Sequence, residues 1–236
     1  MIENKKILKK NNSDTNFLEV ISILKTNKIN YWLGHGTLLG IIRDNNLIEW
    51  DHDIDIAVWA SEVSQEKILK IMEKENYILR EGYGIKSPDL SFNKKGGRIV
   101  DFNFYEISKT EKDEEIAQIL WPVPKNYLMK LIHALSEAGS YNGKHKLMIN
   151  SLSLFKIFFM YLKNLCIKKG IFYKMQGYSE PVRFIEKIKK INFNGLTINV
   201  PSQPEEYLKY LYGNDWRVPK KKFVWYKDGA SVVSNK

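Results

Sequence analysis

The chain has 236 residues with 37 basic against 27 acidic side chains, a formal charge of +10, 44% hydrophobic residues and one cysteine. That length accommodates one domain with a substantial core and excludes two full enzymatic domains. The lone Cys166 rules out an intrachain disulfide framework, gives no basis for a zinc cluster, and fits a reducing cytoplasm.

Residues 1–14 are polar and lysine-rich and are expected to fray, after which Phe17, Leu18, Ile21 and Leu24 recur at helical spacing. The opening MIENKKILKKNN lacks the apolar run of a signal peptide, and no stretch reaches the length needed to span a bilayer, so a soluble or peripheral protein is expected. Tyr31, Trp32 and Leu33 form a short apolar run that stops at Gly34-His35-Gly36-Thr37, and Leu38, Leu39, Ile41 and Ile42 then begin a helix. Such a turn leaves backbone N–H groups and the positive end of a helix free for an anion. Thr37 is placed to bond that anion or to cap the helix.

Asp51, Asp53 and Asp55 alternate with His52, Ile54 and Ile56. On a strand, a period of two turns all three carboxylates to one face and His52 to the other, as a packed structural histidine. Three like charges there are costly unless a cation neutralises them, and oxygen ligands suit a hard ion such as Mg²⁺ or Mn²⁺. Trp50 reads as an anchor for the preceding loop. The bottom-up reading is therefore a metal-assisted phosphate site.

Ser64 or Ser61 can cap a helix that runs to about Glu75, and Tyr77-Ile78-Leu79 begins another strand. Glu81–Lys95 reads as a hairpin or loop, and Gly96-Gly97 turns into a strand over Arg98–Ile107. A single carboxylate, Asp101, sits there among β-branched and aromatic neighbours. Residues 151–170 read as a helix whose apolar surface is broader than one stripe and is punctuated by Lys156, Lys163, Lys168 and Lys169. Burial in the core is the ordinary explanation, and an interfacial membrane helix with lysines reaching lipid phosphates is the sharper one. Two further helices, over Val182–Ile191 and Pro204–Tyr212, are predicted to frame a short strand at Leu196–Val200.

Gly36-Thr37-Leu38-Leu39-Gly40, Arg43, Trp50, Asp51, Asp53 and Asp55 stand in the order and spacing of a G-T-L-L-G-x-x-R, spacer, W-D-x-D-x-D pattern. Near the C-terminus, Phe193-Asn194-Gly195, Val200-Pro201, Glu205-Glu206-Tyr207-Leu208 and Tyr212-Gly213-Asn214-Asp215-Trp216 form a second block. Together they make the chain resemble the LicD/fukutin family of phosphotransferases, within the nucleotidyltransferase fold. Asp44 follows Arg43 where relatives often carry histidine, and roughly residues 110–180 match no motif.

The resemblance implies an α/β (α+β) protein, with a nucleotidyltransferase-like mixed β-sheet flanked by helices and a helical C-terminal portion. It implies one catalytic domain over residues 1–236, with a core at 17–110 and a mainly helical, substrate- or membrane-proximal portion at 111–236. Asp53, Asp55, Asp101 and Arg43 would be catalytic. Gly36, Thr37 and Arg43 would position phosphate oxygens. Asp51, Asp53, Asp55 and Asp101 would hold Mg²⁺ or Mn²⁺, with Asp101 completing the cluster or serving as base. The implied reaction moves a phospho-alcohol group (phosphocholine, glycerol phosphate or ribitol phosphate) from a CDP-linked donor to a hydroxyl of a glycan or lipid-linked glycan. Tyr212, Gly213, Asp215 and Trp216 would close the fold beside the site.

Alternatives remain at this stage. A nucleotidyltransferase acting on a small molecule, protein or RNA would use the same metal site, and a non-catalytic membrane-associated protein would need none of it. A dinucleotide-binding turn at Gly34, Gly36 and Gly40 is disfavoured by the aspartate trio. The charge, spread through segments such as Lys168-Lys169, Lys187–Lys190 and Lys220–Lys222, favours nucleotide and the inner membrane face over nucleic acid, because no nucleic-acid-binding signature accompanies it.

Overall fold

A computed structural model describes residues 14–80, 87–139, 141, 143–223 and 228–234. The expectation of a frayed N-terminus, and part of that for Glu81–Lys95, therefore falls outside the described residues. Helix α1 (Thr15–Thr26) starts where Asp14 accepts the Phe17 N–H and buries Phe17, Ile21 and Leu24, matching the predicted stripe. Strand β1 (Trp32–Leu33) runs into α2 (His35–Asp44), and β2 (Asp53–Trp59) carries the alternating aspartates. Ser64 caps α3 (Gln65–Lys74), followed by β3 (Ile78–Leu79).

The presumed loop before Gly96 contains a strand, β4 (Asp89–Asn93), which pairs antiparallel with both β3 and β5 (Ile99–Lys109). Its apolar residues Leu90 and Phe92 are buried, and that burial outweighs the local turn signals. Strands β6 (Glu115–Pro124) and β7 (Tyr173–Pro181) continue the sheet in the order β1-β2-β5-β6-β7-β10, with β10 at Val232–Ser234. Strand β5 is its pivot. Residues 99–105 pair parallel with β2, and residues 106–109 pair antiparallel with β6. The fold is a mixed sheet flanked by helices.

The C-terminal half departs from the expected mainly helical portion, because β6 to β10 lie there. Val182–Ile191 is not a helix: Val182–Phe184 forms one 3-10 turn, and Ile188–Phe193 is strand β8, paired with β9 (Leu196–Pro201). Asn194 and Gly195 join them with positive φ at both residues, the hairpin geometry that Asn-Gly favours. That turn, with the cross-strand pairing, overrides helical periodicity. Pro204–Tyr212 is helical as expected (α7).

Residues 146–168 also differ from one continuous helix. They comprise α5 (Lys146–Ser151), a 3-10 turn at Ser153–Phe155 and α6 (Lys156–Lys168), with α6 packed on α4 (Tyr127–Ser136). Phe159, Leu162, Cys166 and Ile167 lie against buried Met129, Ile132 and Tyr173. No residue of α6 is fully buried, so the helix covers this cluster with one face and leaves the other exposed. Leu154 is 92% exposed, and Ile157, Phe158 and Tyr161 are also exposed. No helix among the described residues is long and apolar enough to cross a membrane.

Glu180 ties the two halves together. It is buried on β7 and accepts hydrogen bonds from Tyr207 of α7 and, at 3.2 Å, from Tyr105 of β5. Burial pushes its carboxyl up to about 7, against the opposing pull of the two hydroxyls. The folded chain thus holds this proton more tightly than the unfolded chain, whose ordinary value is near 4.5. The stabilisation is complete below that value and is lost as pH rises through about 7. Glu180→Gln should therefore lose less stability than the parent between pH 5 and 8, by roughly 1–3 kcal/mol, in urea denaturation. Equal losses in the two proteins would show that the carboxyl is not protonated in the fold.

Candidate active site

The parallel register of β2 and β5 places Asp55 beside Asp101 and Asp53 beside Ile99. Paired residues on parallel strands share a face, so Asp53, Asp55 and Asp101 line one cleft, with Asp51 at the strand's entry. The cleft has a volume of about 1320 Å³ and is also lined by His35, Gly36, Asp89, Trp121, Tyr178 and Tyr212.

The carboxylates crowd one another. Burial, followed by repulsion from Asp53, Asp51 and Asp101, holds Asp55 well above the usual carboxylate range. Burial, a hydrogen bond with Asp53 and its charge push Asp51 up to about 7, with Arg98 opposing. Asp101 is raised to about 6, mainly by burial, while its bond from Ser91 and the charge of Arg80 oppose the shift. Arg80 also donates to Ser91 at 3.0 Å, so Arg80, Ser91 and Asp101 form a chain across β3, β4 and β5. Among the described residues, no three acidic, imidazole or thiolate groups already form a closed metal-ligand set. The all-oxygen composition of the donors, together with their mutual repulsion, nonetheless fits a hard divalent cation.

Helix α2 shapes the floor. A side chain on Gly36 would overlap the Asp51 carboxylate, so glycine is required for Asp51 to reach the cleft. A Cβ on Gly40 would lie 2.6 Å from the Asn46 carbonyl oxygen, where the chain folds back toward β2. Thr37 does not cap the helix. It is 2% exposed, it accepts the Asp55 N–H at 2.8 Å through Oγ1, and the helix is capped at Gly34. Thr37 locks α2 to the aspartate strand and does not line the cleft.

Arg43 lies beside the site but is held by its neighbour. Its guanidinium forms a two-pronged pair with Asp44, at 2.9 and 2.7 Å, and its side chain is only 5% exposed. With Trp50, Tyr212, Trp216, Lys220 and Lys221 it lines a second pocket of about 270 Å³, which shares Gly36, Asp51, Tyr212 and Phe223 with the cleft. Trp50 therefore faces a pocket as well as packing on the core, with Lys221 5.0 Å above its ring. Tyr212 and Trp216 close the site as expected. Asp215 instead pairs with Lys220 at the surface, and Gly213 (φ +88) ends α7.

His52 is exposed rather than packed, because β2 begins only at Asp53. His35 is the histidine the structure brings into the site. Its ring lies 4.6 Å from that of Tyr178, and its Nε2 is 3.2 Å from the Tyr105 hydroxyl. Burial lowers its pKa to about 4, with Asp53 opposing, so the ring is neutral at physiological pH. Asp89, Ser91, Tyr178 and Glu180 are further members that reading the sequence missed. Only Asp89 and Ser91 carried a signal, since alternation in Asp89–Asn93 marks a strand. Lys156 and Lys163, expected at a lipid surface, instead line the cleft together with Met160, His133 and Glu137.

Residues 28–137 match the model described as LicD/FKTN/FKRP, nucleotidyltransferase domain. Over those residues the chain is similar to the nucleotidyltransferase domain of the LicD/FKTN/FKRP family. Among its curated relatives, the ribitol 5-phosphate transferases FKRP of Mus musculus and Homo sapiens are each 25% identical over 111 residues, covering 47% of this chain and 20% of the relative. The chain thus spans about a fifth of the length of these relatives. An uncharacterized protein of Rickettsia prowazekii (strain Madrid E) is 38% identical over 56 residues, 23% of this chain and 21% of that protein. Among solved structures, the lincomycin-bound lincosamide antibiotic adenylyltransferase LnuA aligns with a TM-score of 0.41 and 12% identity, covering 81% of this chain and 82% of that one.

The crowding of Asp55 yields a test independent of any reaction. Asp55→Asn removes one member of the crowded carboxylate cluster and should hold or raise stability near neutral pH. Thermal unfolding measures it. A clear drop in the midpoint would mean that the carboxylate serves mainly as acceptor for the Thr37 N–H, 3.5 Å away.

Proposed function

We propose that this chain is a metal-dependent transferase that moves a phospho-alcohol group from a CDP-linked donor to a hydroxyl of a glycan or lipid-linked glycan. The observation that carries the reading is the convergence of Asp51, Asp53, Asp55 and Asp101 on the floor of one large cleft, within the segment matched by the family model. The substrate class is supported by the name of the FKRP relatives.

Asp53 and Asp55, with Asp51 and Asp101 beside them, would hold Mg²⁺ or Mn²⁺. When bound, that ion supplies Lewis-acid stabilisation of charge developing on phosphate oxygens. The smaller aromatic pocket offers Trp50, Tyr212 and Trp216 as stacking surfaces for the donor's nucleoside, with Arg43, Lys220 and Lys221 at its edge. The acceptor hydroxyl enters from the wide cleft, its oxygen bonds to phosphorus, and the bond from phosphorus to cytidine monophosphate breaks in line. Asp101 would take the hydroxyl proton, or would complete the ion's ligand set with that proton passing to water.

Incubation of the purified chain with radiolabelled CDP-choline, CDP-glycerol or CDP-ribitol, Mg²⁺ and a glycan acceptor tests the reading. Transfer of the alcohol label is expected with at least one donor, and Asp53→Asn should reduce it by about a thousandfold or more. Incorporation of the nucleotide itself from labelled nucleoside triphosphates, with no transfer from any CDP-alcohol, would overturn the donor assignment.

The reading includes a seat on the anionic cytoplasmic face of a membrane. Residues 125–174 hold nine lysines against one acid, Glu137. Most of the exposed large apolar side chains among the described residues also lie in this stretch, including Leu147, Leu154, Phe155, Ile157 and Phe158. Cationic charge beside an exposed apolar face complements an anionic lipid surface. Vesicles containing phosphatidylglycerol should co-sediment the chain at low salt and release part of it as salt rises. Ile157→Ser with Phe158→Ser should reduce the salt-resistant fraction. A wild-type chain that ignores such vesicles would exclude this seat.

A further inference from the structure

Helix α6 has two faces with different chemistry. Lys156 and Lys163 lie seven residues apart, two turns of helix, and so project to the same side, with Met160 between them. All three line the cleft whose floor holds the aspartates, whereas Ile157, Phe158 and Tyr161 face away and are exposed. Neither lysine takes part in an ion pair within 4.0 Å among the described residues. The acid on the same wall, Glu137, is bridged to His133 at 3.2 Å and also feels the charges of Lys163 and Lys156, without an ion pair to either within 4.0 Å. The cationic groups that act on the floor carboxylates are Arg98 at Asp51 and Arg80 at Asp101. The two lysines are therefore not the counter-ions of the aspartate cluster.

We infer that Lys156 and Lys163 form an anion subsite on the wall of the cleft, separate from the carboxylate floor, which takes a phosphate group carried by a substrate. Two ammonium groups sharing a partly buried wall repel each other, and an anion between them removes that repulsion while gaining charge-assisted hydrogen bonds. Burial lowers the Lys163 pKa, the charge of Glu137 opposes it, and the charge of Lys156 adds a smaller lowering, so the wall already favours an anion beside both lysines. Phosphate fits better than an apolar group because the wall presents point charges on flexible stems, and better than a second metal because the donors are cationic.

The subsite rests on the transferase reading only for its biological occupant. The aromatic pocket borders the cleft at Gly36, Asp51, Tyr212 and Phe223, whereas the lysines lie among α4 and α6 residues. The bound phosphate therefore belongs either to an acceptor that already carries one or to the donor's diphosphate.

Calorimetric titration of inorganic phosphate into the full chain in EDTA tests the subsite without turnover or metal. The wild type should bind at millimolar concentration, and Lys156→Gln with Lys163→Gln should weaken binding on the order of tenfold. The matching Lys→Arg pair should retain it, which separates charge from folding. Asp53→Asn with Asp55→Asn should not weaken it. No binding by the wild type, or equal binding by wild type and the glutamine pair, overturns the proposal. Parallel titrations with cytidine monophosphate and glucose 1-phosphate identify the source. Loss of affinity in the glutamine pair for the nucleotide alone assigns the phosphate to the donor, and loss for the sugar phosphate alone to the acceptor. Loss for both shows a subsite that reads phosphate only, and loss for neither overturns the proposal. Because none of these readings depends on CDP-alcohol transfer, failure of the transferase assay leaves the subsite standing, and the reverse also holds.

Discussion

The parallel pairing of β2 with β5 imposes a carboxylate beside a carboxylate, and much of the surrounding structure accommodates that pressure. Asp55 and Asp101 face each other across the ladder, with Asp53 and Asp51 a few ångströms of chain away. A sheet does not spontaneously gather like charges in a partly desolvated cleft. They stay because the backbone around them is over-determined. Thr37 binds the Asp55 amide, the Gly34 N–H donates to the Asp55 carbonyl at 3.2 Å, and Arg80 and Ser91 hold Asp101 from the opposite strand. Stability is thus spent at one locus to keep the four carboxylates together.

The C-terminal half contributes more than a cover. Glu180, buried without a cationic partner, gathers hydroxyls from Tyr105 and Tyr207, and Tyr105 in turn touches His35 at the head of α2. This chain of polar contacts runs from α7 through β7 and β5 to the wall of the cleft. It explains why the second motif block, remote in sequence, sits beside the first in space. The same half supplies α6, one face of which looks into the cleft while the other meets solvent, so one helix carries a cationic cleft face and an apolar outer face.

Local chemistry was legible where short-range pattern and final environment agreed. The α1 stripe, the Ser64 cap, the glycine turn into α2 and the alternating aspartates each state their structure within a few residues. Reading failed where pairing partners far along the chain decided the outcome. Ile188 and Ile191 carry a helical spacing but form a strand, because β9 and the Asn194-Gly195 turn provide a ladder that no single helix can match. Thr37 and Arg43 were placed correctly along the chain and wrongly in their contacts. The Thr37 hydroxyl bonds the nearest strand and the Arg43 guanidinium is shared with the adjacent Asp44, contacts that residue type and local spacing do not announce.

The amino-acid sequence by itself determined the identity of the carboxylates, the glycines that let them approach α2, and the excess of lysine around α6, since these depend on residue type and local period. Tertiary structure alone decided which groups meet. Only the β2–β5 register could set Asp101 beside Asp55, and only the docking of α6 on α4 could send Lys156 and Lys163 into the cleft while Phe158 turned outward. The physical reason is that long-range pairing and helix docking are chosen by the summed burial of many side chains, a quantity that no window of neighbouring residues contains.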